Sequence, residues 1–148
     1  NSVVDAMKKL MSAKVRFVSR GDDSGTHKKE LALWKDANLS PIGNWYIQAG
    51  QGMGAVIKMA DELKAYTLTD RGTYLAFKNK INLKVLYEGD EVLFNPYHIM
   101  AVNPERFDNV QYGLAKQYIR FVTGKQGQLI IQNFKMLGHS LYYPDVIN

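Results

Sequence analysis

The residues from Ser19 to His27 read SRGDDSGTH and follow a short apolar segment that is typical of a buried strand. Where a strand passes through glycine and hydroxyl residues into a helix, unpaired N–H groups and the positive end of the helix dipole lie together. Such an arrangement binds anions. Arg20 adds a guanidinium, and Ser24 and Thr26 add hydroxyl donors. The pattern predicts an anion site, with a well-capped helix start beside a surface arginine as the alternative.

The two neighbouring carboxylates, Asp22 and Asp23, count against a bare anion site. They are expected either to orient Arg20 or to cap the helix. An acid–base group of Asp22, Asp23 and Asp70 beside His27 is the enzymatic alternative, but no spacing in the sequence fixes its geometry.

A second run of the same kind contains Thr69, Asp70 and Arg71 at another predicted junction of strand and helix. The carboxyl ends of neighbouring parallel strands meet at one edge of a sheet, so this run is expected to lie beside the first. The alternative is ordinary capping by Asp70, with Arg71 in solvent. The glycine-rich residues 50–54 form a weaker third candidate that matches no phosphate-loop pattern.

Other chemistries find less support in the sequence. His27, His98 and His139 lack metal-ligand spacing, so we expect no metal held by side chains and no cofactor. No Gly-x-Ser-x-Gly or His-Glu-x-x-His motif occurs, and the protein is predicted not to be an enzyme. The 19 Lys and Arg residues exceed the 14 Asp and Glu residues, but they are scattered along the chain. This distribution disfavours nucleic-acid binding.

The elements that must position these residues alternate between strand and helix. The 148 residues, 46% of them apolar and none of them Cys, suffice for an ordinary globular core. The predicted fold is α/β, with a mostly parallel sheet flanked by helices. Strands are predicted at residues 15–18, 45–47, 66–68 and 83–86. Helices are predicted at residues 3–11, at residues 55–63, over the segment carrying Leu31, Leu33 and Trp34, and from the Thr69-Asp70 cap to about Phe77.

The pattern changes after Tyr87. Residues 97–102 are predicted to be extended, and residues 111–122 and 125–134 are predicted to form two helices with Gly124 between them. Residues 141–144 are expected to form a short edge strand or a docked arm. This part has too few elements for a domain of its own.

Several motifs, taken in order, closely resemble the substrate-binding proteins of tungstate ABC importers. They are residues 19–30, Trp45-Tyr46 with the glycine-rich residues 50–54, residues 66–74, Phe94-Asn95-Pro96-Tyr97 and Val102-Asn103-Pro104. That family is similar to the type II periplasmic binding proteins, in which two α/β lobes close over an oxyanion. The resemblance implies that Arg20 is the charged ligand, and that Ser19, Ser24, Gly25 and Thr26 are neutral donors. It places Thr69 and Arg71 nearby, with the aspartates holding the arginines and caps.

The resemblance also implies a division of the chain. Residues 1–91 correspond to the second lobe, and residues 92–148 to a return strand and terminal helices of the first lobe. The family's first lobe opens with a Thr/Ser-rich loop, and no Thr-Thr or Thr-Ser run occurs here. The chain is therefore expected to be truncated at its N-terminus.

The function implied is extracytoplasmic or periplasmic capture of tungstate, with molybdate second, for a membrane permease of the ABC type. The alternatives are a ligand-sensing domain of a transcription regulator and an enzyme that clamps a phosphorylated metabolite. Apolar faces after residue 97 would lack the rest of the first lobe, so we expect this chain to self-associate.

Overall fold

A computed structural model describes residues 2–144, which divide into two compact units, one ending at Phe94 and the other beginning at Asn95. The first unit holds four α-helices, two strands and two short 3₁₀ helices among its described residues. Its elements are α1 (Val3–Ala13), β1 (Phe17–Ser19), α2 (Gly25–Asp36), β2 (Tyr46–Gln48), α3 (Met53–Glu62), α4 (Arg71–Phe77) and the 3₁₀ helices Lys78–Lys80 and Glu91–Leu93. The predicted helices of this unit are confirmed.

The first helix, α1, begins after a reciprocal cap. The Asp5 N–H donates to Ser2 Oγ at 3.2 Å, and the Ser2 N–H donates to Asp5 Oδ2 at 3.0 Å. These bonds satisfy N–H groups that the first turn of a helix leaves without partners. The Val3 N–H donates to Asp90 Oδ2 at 3.0 Å, so the start of α1 is bound to the far end of the same unit.

The sheet of the first unit is parallel, as predicted. Phe17 pairs with Tyr46 and Ser19 with Gln48, while Phe17 also bridges to Tyr66 on its other side. The order across the sheet is therefore β2, β1 and the segment at Tyr66. The predicted strand at residues 66–68 is reduced to that single bridge.

Successive residues of β1 face opposite sides of the sheet, as strand geometry requires. Phe17 joins a core cluster with residues of α1 and α2, whereas Val18 joins a second cluster with residues of α3. Helices thus cover both faces of the sheet. Tyr87 and Leu93, from the end of the unit, pack against the first cluster.

The second unit contains α5 (Tyr112–Thr123), α6 (Lys125–Asn133) and an antiparallel hairpin of β3 (Lys135–Met136) and β4 (His139–Ser140). Both predicted helices are confirmed, and Gly124 ends α5 and begins α6. No residue of α5 is buried. Across residues 2–144, no helix is both long enough and apolar enough to cross a membrane.

One predicted strand is wrong, and an alternative of strand or arm is resolved. Residues 83–86 pair with no strand in the described chain, and Val85 and Leu86 lie largely exposed. Residues 141–144 form no strand, but the Tyr142 ring packs 5.9 Å from the Tyr97 ring and 6.4 Å from the Phe134 ring, centroid to centroid. This segment is therefore docked through an aromatic side chain, which was the other expectation for it.

Candidate oxyanion site

The loops that follow β1 and β2 lie at one edge of the sheet, joined by backbone hydrogen bonds. The Ala49 N–H donates to the Ser19 carbonyl at 3.0 Å, and the Gln51 N–H donates to the Arg20 carbonyl at 3.3 Å. On the other side of β1, Thr67 Oγ1 donates to the Val18 carbonyl at 2.8 Å. We use the name binding edge for three loops: residues 20–24 after β1, residues 49–52 after β2, and residues 69–70 after the segment at Tyr66.

The loop between Arg20 and Ser24 makes a tight turn against β2. Gly21 has a φ of 61°, a left-handed conformation that glycine adopts without steric cost. A Cβ at Gly21 would lie 3.0 Å from Gln48 Cβ, so the neighbouring chain would have to shift to admit it. Gly21 therefore lets the loop pass directly over the end of β2.

Arg20 is paired with Asp22. Its Nε donates to Asp22 Oδ2 at 3.1 Å and its Nη2 contacts the same oxygen, while Asp22 Oδ1 accepts the Ser24 N–H at 3.2 Å. Hydrogen bonding from Ser24, and then from Arg20, lowers the pKa of Asp22 to about 2. Asp22 therefore both orients Arg20 and accepts a hydrogen bond from the N-cap residue of α2. Of five guanidinium N–H groups, this pairing leaves three without a protein acceptor among residues 2–144.

The start of α2 supplies further donors. Ser24 is the N-cap, and its Oγ accepts the His27 N–H at 3.3 Å. Gly25 and Thr26 occupy the first two helical positions, whose N–H groups have no acceptor within the helix. Nothing lies within 4 Å of where a Cβ on Gly25 would be, so there is open space beside the first residue of α2.

Ser19, the last residue of β1, is fully buried. Its Oγ forms no hydrogen bond of ordinary geometry within the described chain. A buried hydroxyl without a partner is rare, because burial removes the water that would otherwise satisfy it. Ser19 thus places a buried hydroxyl at the root of the binding edge, close enough to the Tyr46 hydroxyl to influence its pKa.

Glu30 is a buried carboxylate, and sequence reasoning did not single it out. Glu30 of α2 is 2% exposed, and its Oε1 accepts from Trp34 Nε1 at 3.1 Å and from the Tyr46 hydroxyl at 2.7 Å. Burial raises the pKa of Tyr46 above its usual range, Glu30 raises it further, and the Ser19 hydroxyl acts in the opposite direction. In the sequence, the contact between Glu30 and Trp34 is indicated by their four-residue spacing, which places both side chains on the same side of a helix.

Thr69 and Arg71 lie at the junction of residues 66–68 with α4, where their observed contacts are local. Thr69 Oγ1 donates to the Asp70 carbonyl at 3.2 Å, and Asp70 caps α4 by accepting the Thr73 N–H at 2.7 Å. The Arg71 guanidinium is paired with Glu88, and both side chains are substantially exposed. The capping expected of Asp70 is confirmed, whereas Arg71 has an ion-pair partner rather than solvent alone.

The remaining candidates are separated. His27 accepts the backbone N–H of Asp23 at its Nδ1, at 3.0 Å, while His98 and His139 belong to the second unit. Among residues 2–144, no group of three His, Asp or Glu side chains is placed to hold a metal ion. The chemistry assembled at the binding edge is that of hydrogen-bond donation.

Residues 3–126 match the family described as PBP superfamily domain. The chain is 44% identical over 147 residues to the tungstate-binding protein TupA of Peptoclostridium acidaminophilum, a match that covers 98% of this chain and 51% of that protein. The solved structure of the tungstate ABC transporter from Geobacter sulfurreducens is 56% identical, with a TM-score of 0.82, over 90% of this chain and 57% of that one. The tungstate binding protein TupA from Desulfovibrio alaskensis G20 is 38% identical, with a TM-score of 0.79, over 97% and 60%. The chain spans about half the length of the curated relatives it matches.

Proposed function

The chain belongs to the PBP superfamily of domains, and on that basis we propose that it is the oxyanion-binding part of an extracytoplasmic solute-binding protein for an ABC transporter. The ligand proposed is tungstate, with molybdate second. Relatives named for tungstate binding match along nearly all of this chain, which supports that ligand. The proposed function is capture and release, with no chemistry performed on the anion.

The observation that carries the proposal is the set of donors at the end of β1. The buried Ser19 hydroxyl, the Arg20 guanidinium and the start of α2 at Gly25 lie within seven residues of the chain and belong to one edge of the sheet. A fully deprotonated oxyanion only accepts hydrogen bonds, so a site composed of donors suits it.

We propose a role for each residue of this set. Arg20 is the charged ligand, because three of its N–H groups remain for an anion after Asp22 has fixed its orientation. Ser19, Ser24, Gly25 and Thr26 contribute neutral hydroxyl or backbone donors. Thr69 and Arg71 flank the site, and Arg71 must exchange its contact with Glu88 to reach an anion directly.

The proposed division of the chain assigns residues 1–91 to the second lobe and residues 92–148 to the return strand and helices of the first lobe. The boundary of the two compact units, between Phe94 and Asn95, lies close to this division and supports it. The proposed partner is a membrane permease of the ABC type, and the proposed location is periplasmic or otherwise extracytoplasmic. Self-association of this chain is proposed from the exposed face of α5.

The experiment is calorimetric titration of the intact protein with tungstate, molybdate, sulfate and phosphate. Arg20→Ala is expected to weaken tungstate binding by about tenfold to a hundredfold, the value of a charge-assisted hydrogen bond. Arg16→Ala is the matched control, because Arg16 is exposed just before the opposite end of β1. Unchanged affinity in Arg20→Ala would contradict the proposed site. Tight binding of phosphate with weak binding of tungstate would favour a protein that clamps a phosphorylated metabolite.

A further inference from the structure

The loop that carries Arg20 contains a strained residue. Asp23 has a φ of 58°, in the left-handed region that residues with a side chain adopt only at a cost in energy. Aspartate tolerates this conformation better than most residues, but it remains unfavourable without a supporting contact. An interaction that holds Asp23 in this conformation therefore stabilises the loop.

His27 supplies that interaction. The Asp23 N–H donates to His27 Nδ1 at 3.0 Å across the first turn of α2. A neutral imidazole accepts at one nitrogen and carries its proton on the other, so this bond places the His27 proton on Nε2. The other polar contact of Asp23, with Lys28 Nζ at 3.4 Å, joins two exposed side chains and is screened by solvent.

The position of Asp23 in the loop gives this bond its importance. Asp23 lies between Asp22, which orients Arg20, and Ser24, which caps α2. A rotation of the Asp23 backbone out of the left-handed region would move both neighbours, and with them the guanidinium and the open N–H groups of Gly25 and Thr26. His27 is thus connected through Asp23 to the residues on either side of it, Asp22 and Ser24.

We propose that His27 is a positioning residue of the oxyanion site, acting through the backbone of Asp23. This inference rests on the proposed function for its ligand, but the contact it invokes exists without one. The imidazole is required as a hydrogen-bond acceptor at Nδ1, and its charge is not. An asparagine, whose Oδ1 reaches a similar place relative to the backbone, should replace it.

The test compares His27→Ala with His27→Asn in the intact protein, by titration with sodium tungstate. His27→Ala is expected to weaken binding by about tenfold, the affinity equivalent of one lost hydrogen bond. His27→Asn should stay within about threefold of the original protein, because the acceptor is restored. His98→Ala, an exposed histidine of the second unit, is the control and should bind normally.

A second measurement is independent of any ligand. The backbone amide of Asp23 should exchange with solvent slowly in the original protein and in His27→Asn, and at least about tenfold faster in His27→Ala, as followed by NMR. Normal tungstate binding by His27→Ala, or equal losses in both folded variants, would overturn the positioning role. If the original protein does not bind tungstate but its Asp23 amide exchanges slowly, the proposed ligand is wrong and the His27 contact is confirmed. Fast exchange of the Asp23 amide in the original protein would refute the contact.

Discussion

Two nitrogens of the Arg20 guanidinium, Nε and Nη2, contact the same carboxylate oxygen of Asp22. The other carboxylate oxygen accepts the N–H of Ser24 at the start of α2. One short side chain therefore fixes the arginine relative to the start of α2. In the proposed site, this fixed orientation lowers the entropy that anion binding must remove.

This pairing predicts an unusual titration for Asp22. Its carboxyl carbon, followed by NMR, should change with a midpoint near pH 2 rather than at the ordinary value of 3.8, because Ser24 and Arg20 stabilise the charged form. The folded-state pKa is lowered, so the stabilisation is complete above about pH 3.8 and is lost as the pH falls through 2. In Arg20→Ala the midpoint should rise toward 3.8. A midpoint already at 3.8 in the original protein would show that the pair does not form in solution.

Removal of the buried carboxylate should be costly. Glu30→Ala leaves the Trp34 N–H and the Tyr46 hydroxyl without their acceptor, and it opens a cavity beside them. We expect a loss of about 3 kcal/mol in the free energy of unfolding, measured in urea. Glu62→Ala, at an exposed position of α3, is the control and should change stability by less than about 0.5 kcal/mol. Equal effects of the two substitutions would contradict the buried network.

Steric contact and backbone strain can be separated at two glycines. Gly21 and Gly50 share a φ of 61°, but only a Cβ at Gly21 meets other atoms, at 3.0 Å from Gln48 Cβ. Gly50→Ala should cost about 1 kcal/mol through its backbone alone. Gly21→Ala should cost about 2 to 3 kcal/mol, because the loop must also move away from β2. Urea unfolding measures both, and equal losses would mean that the loop is not closely packed on β2.

The exposed face of α5 predicts self-association. Leu114, Tyr118 and Phe121 lie on one side of this helix, and each is at least half exposed. At micromolar concentration the chain should scatter light with a mass above its 16.8 kDa monomer. Substitution of both Leu114 and Tyr118 by Lys should restore the monomer, whereas Lys116→Glu, at an exposed position on the opposite side of α5, should not. A monomeric original chain would refute the prediction.

The sequence was sufficient for the helices and for the parallel arrangement because their signals are local. Ser24 and Asp70 precede apolar spacing of helical period, and both cap helices as expected. The hairpin of β3 and β4 was missed because its turn is Leu137-Gly138, with both residues at positive φ. Leucine is uncommon in such turns, and the usual sequence signals for them are Asn-Gly and Asp-Gly.

At the binding edge, sequence reasoning indicated which residue types meet but not how they are paired. That the loops after β1 and β2 meet follows from parallel strands, and the Arg20–Asp22 contact was one of two roles considered for that aspartate. The bond from Asp23 to His27 and the burial of Glu30 depend on loop conformation and tertiary packing. The bond from Asp23 has no periodic signature, and the four-residue spacing of Glu30 and Trp34 does not by itself show that the carboxylate is buried; both follow only from the three-dimensional structure.

The bond from the Val3 N–H to Asp90 spans 87 residues and joins the two ends of the first unit. On the ribosome α1 is made before Asp90, Tyr87 and Leu93, which bind its start or pack against its cluster and follow on the order of ten seconds later at ordinary rates of translation. Until then the apolar face of α1 has only part of its final packing, and contacts so distant in the chain form slowly. The nascent first unit is therefore open to chaperones and proteases until its last turn emerges.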